Sequence, residues 1–369
     1  MPTEKSITRR ALLKTAATGA SGLLVGSVLQ ANAQADEDGA KEKAIAGDPK
    51  VRGPFPILST PFTTEGEVDY DVLAKEAEFV EWGGCPGMIW PQSGDSIDLL
   101  TQEEKLKGME VLAEATRGMK SSLCLGVQGK DTEEMLMFAK HAEKLQPTAI
   151  ISRPPDSGKT EDDLRQYWRA LAQVAERPVI LQTTGGVAYK GPLPTPKLMI
   201  ELAEEFPHFG YIKEEAGDVF KRMRESIAAQ PPVRRVFSAR GGFHWLKESR
   251  LGSEGVITER AAYADLLTHI WQLMQSGDDT EQLEDAFAKY LQMVNTKPKG
   301  LRNASLYVWK KRGVFKTMVS RQYGPGKSIP ATPKYSEQKL TPEQIAGIEK
   351  SFAALKPYIK EERPNLSSS

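Results

Sequence analysis

The chain of 369 residues contains little cysteine and little histidine, which argues against several kinds of site. Cys85 and Cys124 are its only cysteines and lie in different apolar segments, so neither a disulfide framework nor a zinc cluster is indicated. We expect both to be buried thiols, and a cysteine nucleophile is the alternative. Four histidines occur without metal-ligand spacing: His141, His208, His244 and His269. The sequence therefore predicts no metal and no cofactor.

The chain also lacks net charge and, beyond its N-terminus, long apolar runs. Lysine and arginine together number 49, aspartate and glutamate also number 49, and neither sign forms a long run. A basic surface for nucleic acid or for an anionic membrane is therefore not implied. We expect the partner of this protein to be a small molecule.

The N-terminus resembles a bacterial export signal. Arg9 and Arg10 precede a weakly apolar run, and small residues that suit cleavage follow it at Ala33 and Ala35. Paired arginines in this position are typical of the twin-arginine signal, which carries folded proteins across the bacterial inner membrane. A protein that folds before export has no need of disulfides, which agrees with the low cysteine content.

Residues 1–35 are therefore predicted to be a signal peptide that directs the protein to the periplasm. The alternative is an uncleaved membrane anchor, but the apolar run is short for a span and is interrupted by glycine and serine. We expect no stable membrane insertion after processing. Residues 36–52 are charged and rich in glycine and alanine, which predicts a disordered leader.

From Gly53 onward, short apolar runs alternate with longer amphipathic ones. The strand candidates are Phe55–Thr60, Gly87–Pro91, Ser122–Val127, Ala149–Ser152, Val179–Thr183, Gly210–Lys213, Arg235–Ser238 and Gly255–Thr258. Helical periodicity between them includes Asp69–Trp82, Thr101–Arg117, Thr132–Leu145, Thr160–Ala175, Pro196–Glu205 and Phe220–Ala228. This alternation predicts an α/β fold, and a closed (β/α)8 TIM barrel over residues 53–275 is the single-domain solution. An open doubly wound sheet is the alternative, although no G-x-G-x-x-G follows the first strand.

Helix starts and the C-terminal region complete the fold prediction. Thr101 and Thr132 each precede an acidic first turn and are predicted to cap their helices.

Residues 276–369 are predicted to form a helical C-terminal extension and a polar tail. Within this extension we expect a long loop from Gly324 to Lys339 and a final amphipathic helix over Pro342–Ala354.

Lys213 carries the functional interpretation. It closes the apolar segment Phe209–Ile212 and is followed by an acidic, glycine-terminated turn. A lysine at the carboxyl end of a barrel strand lies where such barrels build their active sites. Burial favours the neutral form of an amine, and a neutral amine can attack a ketone to form a Schiff base. From this segment alone, the ordinary alternative is a surface lysine that extends its charge into water.

Several motifs then occur together in one order. They are LSTPF (Leu58–Phe62), GEVD (Gly66–Asp69), SGD (Ser93–Asp95), LTQEE (Leu100–Glu104), GYIKE (Gly210–Glu214) and GVIT (Gly255–Thr258). From about Gly53 to Gln292 the chain resembles the dihydrodipicolinate synthase and N-acetylneuraminate lyase family of class I, Schiff-base-forming barrel enzymes. A helical C-terminal region is also typical of that family. The resemblance implies that Lys213 condenses with the ketone of pyruvate or a related 2-oxo acid.

The resemblance also implies a role for the turn after the second strand. Gln92, Ser93, Gly94 and Asp95 occupy that turn, which in the family holds the carboxylate of the 2-oxo acid. Backbone N–H groups and a short hydroxyl can bind a carboxylate without a competing counter-charge. The other residues implied in substrate binding lie at strand ends: Gln182, Ile257 and Arg240. Arg240 and Arg260 would hold a second carboxylate or the hydroxyls of a longer substrate, unless they are surface arginines.

Two departures from the family pattern affect proton transfer. Family members usually carry a tyrosine at the end of the fifth strand that relays protons, but Gln182 stands there, and an amide is not an acid or base near neutral pH. A second tyrosine, expected after the fourth strand, is also absent. The carboxylates that are candidates for the missing acid/base are Asp156, Asp95 and Glu259. Solvated loop acids are the alternative for all of them, with a substrate group or water moving the proton instead.

Two functions follow as hypotheses. The first is an exported lyase, an aldolase or dehydratase, that acts on a 2-oxo acid or sugar acid through a Schiff base on Lys213. The second is a catalytically impaired barrel that binds such an acid as a sensor or binding protein. Retention of Lys213 favours the lyase, and the loss of both tyrosines favours the binding protein. Family members are commonly dimers or tetramers, so the resemblance also implies a homo-oligomer.

Overall fold

The structure is a computed structural model that describes residues 48–277, 280–295 and 301–361. The predicted signal peptide at residues 1–35 lies outside the described residues, as does most of the predicted leader at residues 36–52. Within the described ranges, no helix is both long enough and apolar enough to cross a membrane.

The last residues of the predicted leader belong to the folded unit. Val51 is fully buried, and the Asp48 backbone N–H donates to Tyr211 Oη at 2.7 Å. Arg52 Nε donates to Glu254 Oε2 at 2.9 Å, which ties the chain to the residue before the eighth strand. The folded unit therefore begins at least five residues before the predicted boundary at Gly53, because these residues pack against the amino ends of the strands.

The eight predicted strands are present in the predicted order. They are β1 (Gly53–Pro56), β2 (Gly87–Trp90), β3 (Ser122–Gly126), β4 (Ala149–Ser152), β5 (Val179–Gln182), β6 (Tyr211–Lys213), β7 (Arg235–Phe237) and β8 (Gly255–Thr258). The helices of this part are α1 (Tyr70–Gly83), α2 (Gln102–Ala115), α3 (Thr132–Leu145), α4 (Glu161–Ala172), α5 (Pro196–Glu205), α6 (Val219–Ala228), α7 (Trp245–Ser249) and α8 (Ala264–Ser276). The predicted helices match α1 to α6, whereas the short α7 lacks a periodic sequence signal and was missed.

The strands close into a barrel. Strands β2 to β7 form one continuous parallel ladder, and β1 pairs with β8 in parallel from Gly53 opposite Gly255 onward. Two further parallel bridges join these ladders, between Ile57 and Ile89 and between Ser238 and Val256. The (β/α)8 prediction is confirmed, and the open doubly wound alternative is wrong because the first and last strands are neighbours.

The barrel interior is filled by apolar side chains. The interior cluster consists of Val51, Phe55, Ile57, Ile89, Cys124, Ala149, Ile151, Ile180, Tyr211, Phe237 and Ile257. Since side chains alternate across a strand, the residues between these positions face the surrounding helices. There they join a second, larger apolar cluster that includes Trp168 and Leu202. Both faces of each strand are therefore buried, as expected for a parallel sheet.

Both cysteines are structural. Cys124 lies in the barrel interior, and Cys85 Sγ donates to the Ala264 carbonyl at 3.2 Å. Burial raises the pKa of Cys85 to about 12 and also raises the pKa of Cys124. Both thiols are buried, and their raised pKa values disfavour the thiolate that a nucleophile requires, which argues against the cysteine-nucleophile alternative.

The helix caps agree with the sequence in one case and differ in another. Thr101 and Glu104 form a capping box, with the Glu104 N–H donating to Thr101 Oγ1 at 3.1 Å and the Thr101 N–H to Glu104 Oε2 at 2.9 Å. At α3 the cap is Asp131, which accepts from the Glu134 N–H at 3.0 Å, and Thr132 is the first helical residue. The prediction of Thr132 as the cap is therefore wrong by one residue, because an aspartate caps a helix at least as well as a threonine.

The C-terminal extension contains helices and a β-hairpin. Its elements are α9 (Thr280–Val294), α10 (Leu301–Lys311), β9 (Val319–Gln322), β10 (Lys334–Glu337) and α11 (Pro342–Ala353). The long loop predicted from Gly324 to Lys339 is partly wrong, because β10 pairs antiparallel with β9. All residues of β10 are exposed, so it carries none of the apolar alternation by which a strand is identified.

This extension is attached to the loops at the carboxyl end of the barrel. Trp309 Nε1 donates to Ser59 Oγ at 3.2 Å, and Thr317 Oγ1 donates to the Phe62 carbonyl at 2.6 Å. Arg321 Nη1 donates to the Leu99 carbonyl at 2.9 Å. The extension therefore fixes the loops that follow β1 and β2, next to the opening of the barrel.

Candidate active site

Polar side chains meet at the carboxyl ends of the strands, above the apolar interior. Because side chains alternate, a residue two positions after an inward-facing one tends to face the barrel axis as well. Interior residues Ile151, Ile180, Tyr211 and Ile257 are followed in this way by Arg153, Gln182, Lys213 and Glu259. Ile257 itself lies in the interior cluster, so it belongs to the apolar layer beneath the site.

Lys213 lies at the end of β6 and is almost completely enclosed, with 3% of the residue exposed. Its Nζ donates to Gln182 Oε1 at 3.3 Å and lies 3.6 Å from Glu215 Oε1. Gln182 and Lys213 are register partners on β5 and β6, which explains why they meet. The amine is held between a neutral amide and a carboxylate, and the surface-lysine alternative is wrong.

Four side chains form a closed ring of polar contacts, which we call the Lys213 ring. It consists of Lys213, Gln182, Thr184 and Glu215. Gln182 Nε2 donates to Thr184 Oγ1 at 3.1 Å, and Thr184 Oγ1 donates in turn to Glu215 Oε1. Each side chain of the ring therefore restricts the orientation of the next one, and the position of Lys213 Nζ is restricted as well.

The backbone of Glu215 is fixed from two sides. Its N–H donates to Thr183 Oγ1 at 2.9 Å, and its carbonyl accepts from Arg240 Nε at 2.7 Å. Arg240 Nη2 also donates to the Gly217 carbonyl at 3.1 Å. Arg240 lies beyond β7 as predicted, but two of its N–H groups hold the loop after β6, which is a role that the sequence did not indicate.

Glu214 faces away from the site. Its Oε1 accepts from Arg222 Nε at 3.0 Å and from Thr183 Oγ1 at 2.9 Å, and the residue is buried. This orientation follows from the alternation of side chains after β6. Of the two glutamates that follow Lys213, only Glu215 is thus directed toward the amine.

The turn after β2 lies at the same opening. Gly94 has a φ of +101°, which favours glycine, and a Cβ there would lie 3.2 Å from Glu259 Cβ. Gln92 is buried, and its Oε1 accepts the Ser93 N–H at 2.5 Å while its Nε2 donates to Gln128 Oε1 at 3.4 Å. Gln92 therefore supports the turn from below, and Ser93 presents its hydroxyl.

Arg153 was not identified from the sequence. It follows β4 directly, is buried, and donates from Nη1 to Ser93 Oγ at 2.7 Å. Its Nη2 donates to Asp98 in a buried ion pair, and Tyr323 Oη donates to Asp98 Oδ2 at 3.5 Å. The turn after β2 thus has a cation beside it, contrary to the expectation of backbone and hydroxyl groups alone. The alternation that places Ile151 in the interior is the signal that points to Arg153.

Two of the three predicted acid/base candidates are engaged within the protein. Asp95 accepts a hydrogen bond from Thr60 Oγ1. Glu259 accepts from Thr258 Oγ1 at 3.4 Å and lies 3.5 Å from Arg260 Nη2. Arg260 is fully buried, so its interpretation as a surface arginine is wrong.

Asp156 belongs to the charged group around Arg153. Burial raises the pKa of its carboxyl group, Asp98 and Glu134 add to the increase, and Arg153 opposes it. Among the residues that the structure describes, Asp156 Oδ1 is a buried atom without a hydrogen-bond partner. Asp156 therefore lies on the Arg153 side of the opening.

The side chains at this opening suit the reaction of an amine with a carbonyl compound. It offers a buried lysine nitrogen, an amide, carboxylates, a serine hydroxyl and a guanidinium. Across the described part of the chain, no group of three or more His, Cys, Asp or Glu side chains could hold a metal ion. A guanidinium and a hydroxyl can bind a carboxylate, and an enclosed amine can attack a ketone.

The model of the dihydrodipicolinate synthetase family matches residues 50–307. The chain belongs to this family. It is also similar to the 4-hydroxy-tetrahydrodipicolinate synthase of Porphyromonas gingivalis, with 26% identity over 263 residues, which cover 69% of this chain and 86% of that protein. The protein is accordingly a Schiff-base lyase of the dihydrodipicolinate synthetase family.

Two solved structures share the fold of this chain. The N-acetylneuraminate lyase of Mycoplasma synoviae superposes with a TM-score of 0.67 at 20% identity and covers 85% of this chain and 99% of its own. A prophage protein from E. coli K12 that belongs to the dihydrodipicolinic acid synthase family was solved in complex with pyruvate. It superposes with a TM-score of 0.68 at 19% identity, and the superposition covers 82% of this chain and 98% of that protein. The hairpin of β9 and β10 follows the region that the family model matches.

Proposed function

We propose that Lys213 is the residue that forms the Schiff base, and that the protein is an aldolase or dehydratase acting on a 2-oxo acid or sugar acid. The observation that carries this proposal is the enclosed Lys213 Nζ at the carboxyl end of β6, 3.3 Å from Gln182 Oε1. Barrel enzymes carry out their chemistry at this end of the strands. An imine at this position serves as an electron sink for cleaving or forming a neighbouring carbon–carbon bond, or for releasing water.

The proposed substrate carries a carboxylate next to its ketone. The family relative from E. coli K12 was solved with pyruvate, which supports a pyruvate-type compound. In this chain we assign the carboxylate to the Ser93 hydroxyl, the Gly94 backbone and the Arg153 guanidinium, because Arg153 and Ser93 are already joined at 2.7 Å. Assembly as a dimer or tetramer stays a prediction.

Trapping with borohydride tests the proposal. Incubation of the protein with pyruvate followed by borohydride is expected to reduce the imine to a stable amine, which mass spectrometry detects as a pyruvyl adduct on the Lys213 peptide. Lys213 is the expected site because its nitrogen is enclosed at the opening. The matched control residue is Lys221, an exposed lysine on α6 that lies 3.9 Å from Glu225.

The position and reactivity of the adduct decide between the hypotheses. An adduct on Lys213 and none on Lys221 supports the lyase. An adduct on Lys213 without any exchange of the pyruvate C3 hydrogens in D2O would favour the binding-protein hypothesis. Absence of an adduct with pyruvate and with longer 2-oxo acids would contradict Lys213 as the imine-forming residue.

We propose further that residues 1–35 export the folded protein through the twin-arginine pathway. The paired Arg9 and Arg10 ahead of a weakly apolar run support this. Replacing both by lysine is expected to shift the protein from the periplasmic to the cytoplasmic fraction, as measured by immunoblotting of fractionated cells. Lys41→Arg, a charge-conserving change outside the signal, is the control. Unchanged periplasmic export of the double variant would contradict the proposal.

A further inference from the structure

We propose that Glu215 is the acid and base that moves protons at Lys213, in place of the tyrosine that is missing from this chain. The inference rests on the proposed Schiff-base chemistry of Lys213. It concerns a residue that neither the family motifs nor the candidate carboxylates of the sequence include.

The position of the Glu215 carboxylate carries the inference. Its Oε1 lies 3.6 Å from Lys213 Nζ, within reach of the atoms that bond to that nitrogen. General acid–base groups act at about 2.6–3.2 Å or through one water, and such contacts tighten when substrate binds. The side chain is mostly enclosed, so bulk water screens it little.

Glu215 is also held in place. Thr184 Oγ1 donates to its carboxylate, and Gln182 Nε2 donates to Thr184 Oγ1 at 3.1 Å. Its backbone is fixed by Thr183 and Arg240 at 2.9 and 2.7 Å. A carboxylate restrained in this way stays next to the reacting nitrogen through the reaction, which is what proton transfer requires. Thr184 and Gln182 are thus positioning residues.

The other candidates are directed elsewhere. Asp95 accepts from Thr60 in the loop after β1. Glu259 also faces the opening, but on the side of the Gly94 turn, where its carboxylate lies 3.5 Å from Arg260 Nη2. Asp156 belongs to the group around Arg153, whose charge acts on its carboxyl group. Gln182 contacts Lys213 directly, but its amide cannot take up or release a proton near neutral pH. Glu215 combines contact with the amine and the ability to transfer a proton.

The proton steps balance with Glu215 alone. The Glu215 carboxylate takes a proton from the Lys213 ammonium, and the neutral amine adds to the ketone C2, whose C=O π electrons move to the oxygen. Glu215 gives its proton to that oxygen and takes one from the newly bonded nitrogen, which leaves a neutral carbinolamine and a Glu215 carboxylic acid. The Glu215 carboxylic acid returns the proton to the carbinolamine hydroxyl, the C–O bond breaks and water leaves, which produces the iminium. The carboxylate then removes a proton from C3, and the C–H electron pair forms the enamine double bond. The reverse transfer restores the carboxylate.

Glu215→Gln separates imine formation from proton transfer. Glutamine keeps the size and the acceptor for Thr184 but cannot take the C3 proton. At equilibrium with pyruvate, we expect the variant to retain the borohydride adduct on Lys213, since a lost acid/base changes rates and not the position of equilibrium. We expect exchange of the pyruvate C3 hydrogens in D2O, followed by NMR, to fall about 10²- to 10⁴-fold.

The control is Glu225→Gln, the same change at an exposed glutamate whose Oε1 lies 3.9 Å from Lys221 Nζ. It is expected to exchange pyruvate at the wild-type rate. Wild-type exchange by Glu215→Gln would overturn the inference. Loss of the adduct from a folded Glu215→Gln would also overturn it, because Glu215 would then hold the lysine and not transfer protons.

Failure of the proposed function looks different, since the wild-type protein itself would then form no adduct. If Glu215→Gln does not fold, Thr184→Val provides the second test. It removes the hydroxyl that orients Glu215. Exchange is expected to fall about tenfold, the loss typical of a hydrogen bond to a charged group, with the Lys213 adduct retained. Exchange at the wild-type rate would again overturn the inference.

Discussion

Lys213→Arg is expected to abolish imine chemistry while the fold is retained. Arginine keeps a positive charge beside Glu215 and Gln182, so the Glu215 carboxylate and the Gln182 amide oxygen still face a cationic hydrogen-bond donor. Its guanidinium cannot be deprotonated in a protein and therefore cannot attack a ketone. We expect C3 exchange of pyruvate to fall by at least about 10⁴-fold, the order of loss seen when a covalent nucleophile is removed. The adduct should disappear as well.

Lys221→Arg provides the control for this variant. Lys221 is an exposed lysine on α6 with a carboxylate at 3.9 Å, so the same substitution is made at a similar ion pair outside the barrel. It should leave both exchange and adduct unchanged. A thermal unfolding midpoint of Lys213→Arg close to that of the wild type would show that the fold persists. Exchange by Lys213→Arg at more than a hundredth of the wild-type rate would argue for another nucleophile.

Arg153→Met is expected to reduce both stability and substrate affinity. Arg153 and Asp98 form an ion pair whose side chains are 6% and 9% exposed, so removal of the cation leaves a buried carboxylate without its counter-charge. Breaking a buried pair in this way costs about 3–5 kcal/mol. If the carboxylate of the 2-oxo acid binds Arg153, the substitution removes a charge-assisted hydrogen bond, which contributes about 1.5–3 kcal/mol. The KM for the 2-oxo acid is then expected to rise about 10- to 100-fold.

A second substitution separates these two effects. Arg153→Met combined with Asp98→Asn removes both charges, and the free energy of unfolding should largely recover while KM stays high. Chemical denaturation of the four proteins in this cycle measures the coupling. Arg169→Met is the control, because its ion pair with Glu205 is 41% and 39% exposed and such pairs contribute at most about 1 kcal/mol. If the double variant has the KM of the wild type, Arg153 does not bind the carboxylate of the substrate.

The sequence was sufficient for the barrel because each strand and helix of the repeat carries its own signal. Strands such as β4 and helices such as α3 have the bounds that local pattern predicted, Ala149–Ser152 and Thr132–Leu145. Elements without an apolar pattern were missed. Lys334–Glu337 is exposed along its whole length and becomes a strand only because Val319–Gln322 offers it hydrogen-bonding partners.

The sequence by itself determined the barrel, because apolar periodicity is a local feature, and it placed Lys213 at the end of a strand. The proposed role of Lys213 came from the ordered motifs that resemble the family, since a lysine at the end of a strand is by itself equally compatible with a surface position. Only the tertiary structure decided which side chains surround that lysine. Glu215 and Arg153 look like ordinary loop charges in the sequence. Glu215 reaches the amine, and Arg153 reaches the Ser93 turn, because closing the barrel brings the ends of separate strands to one opening. Contacts between residues as distant as Arg153 and Ser93 depend on strand register and closure, which no local pattern contains.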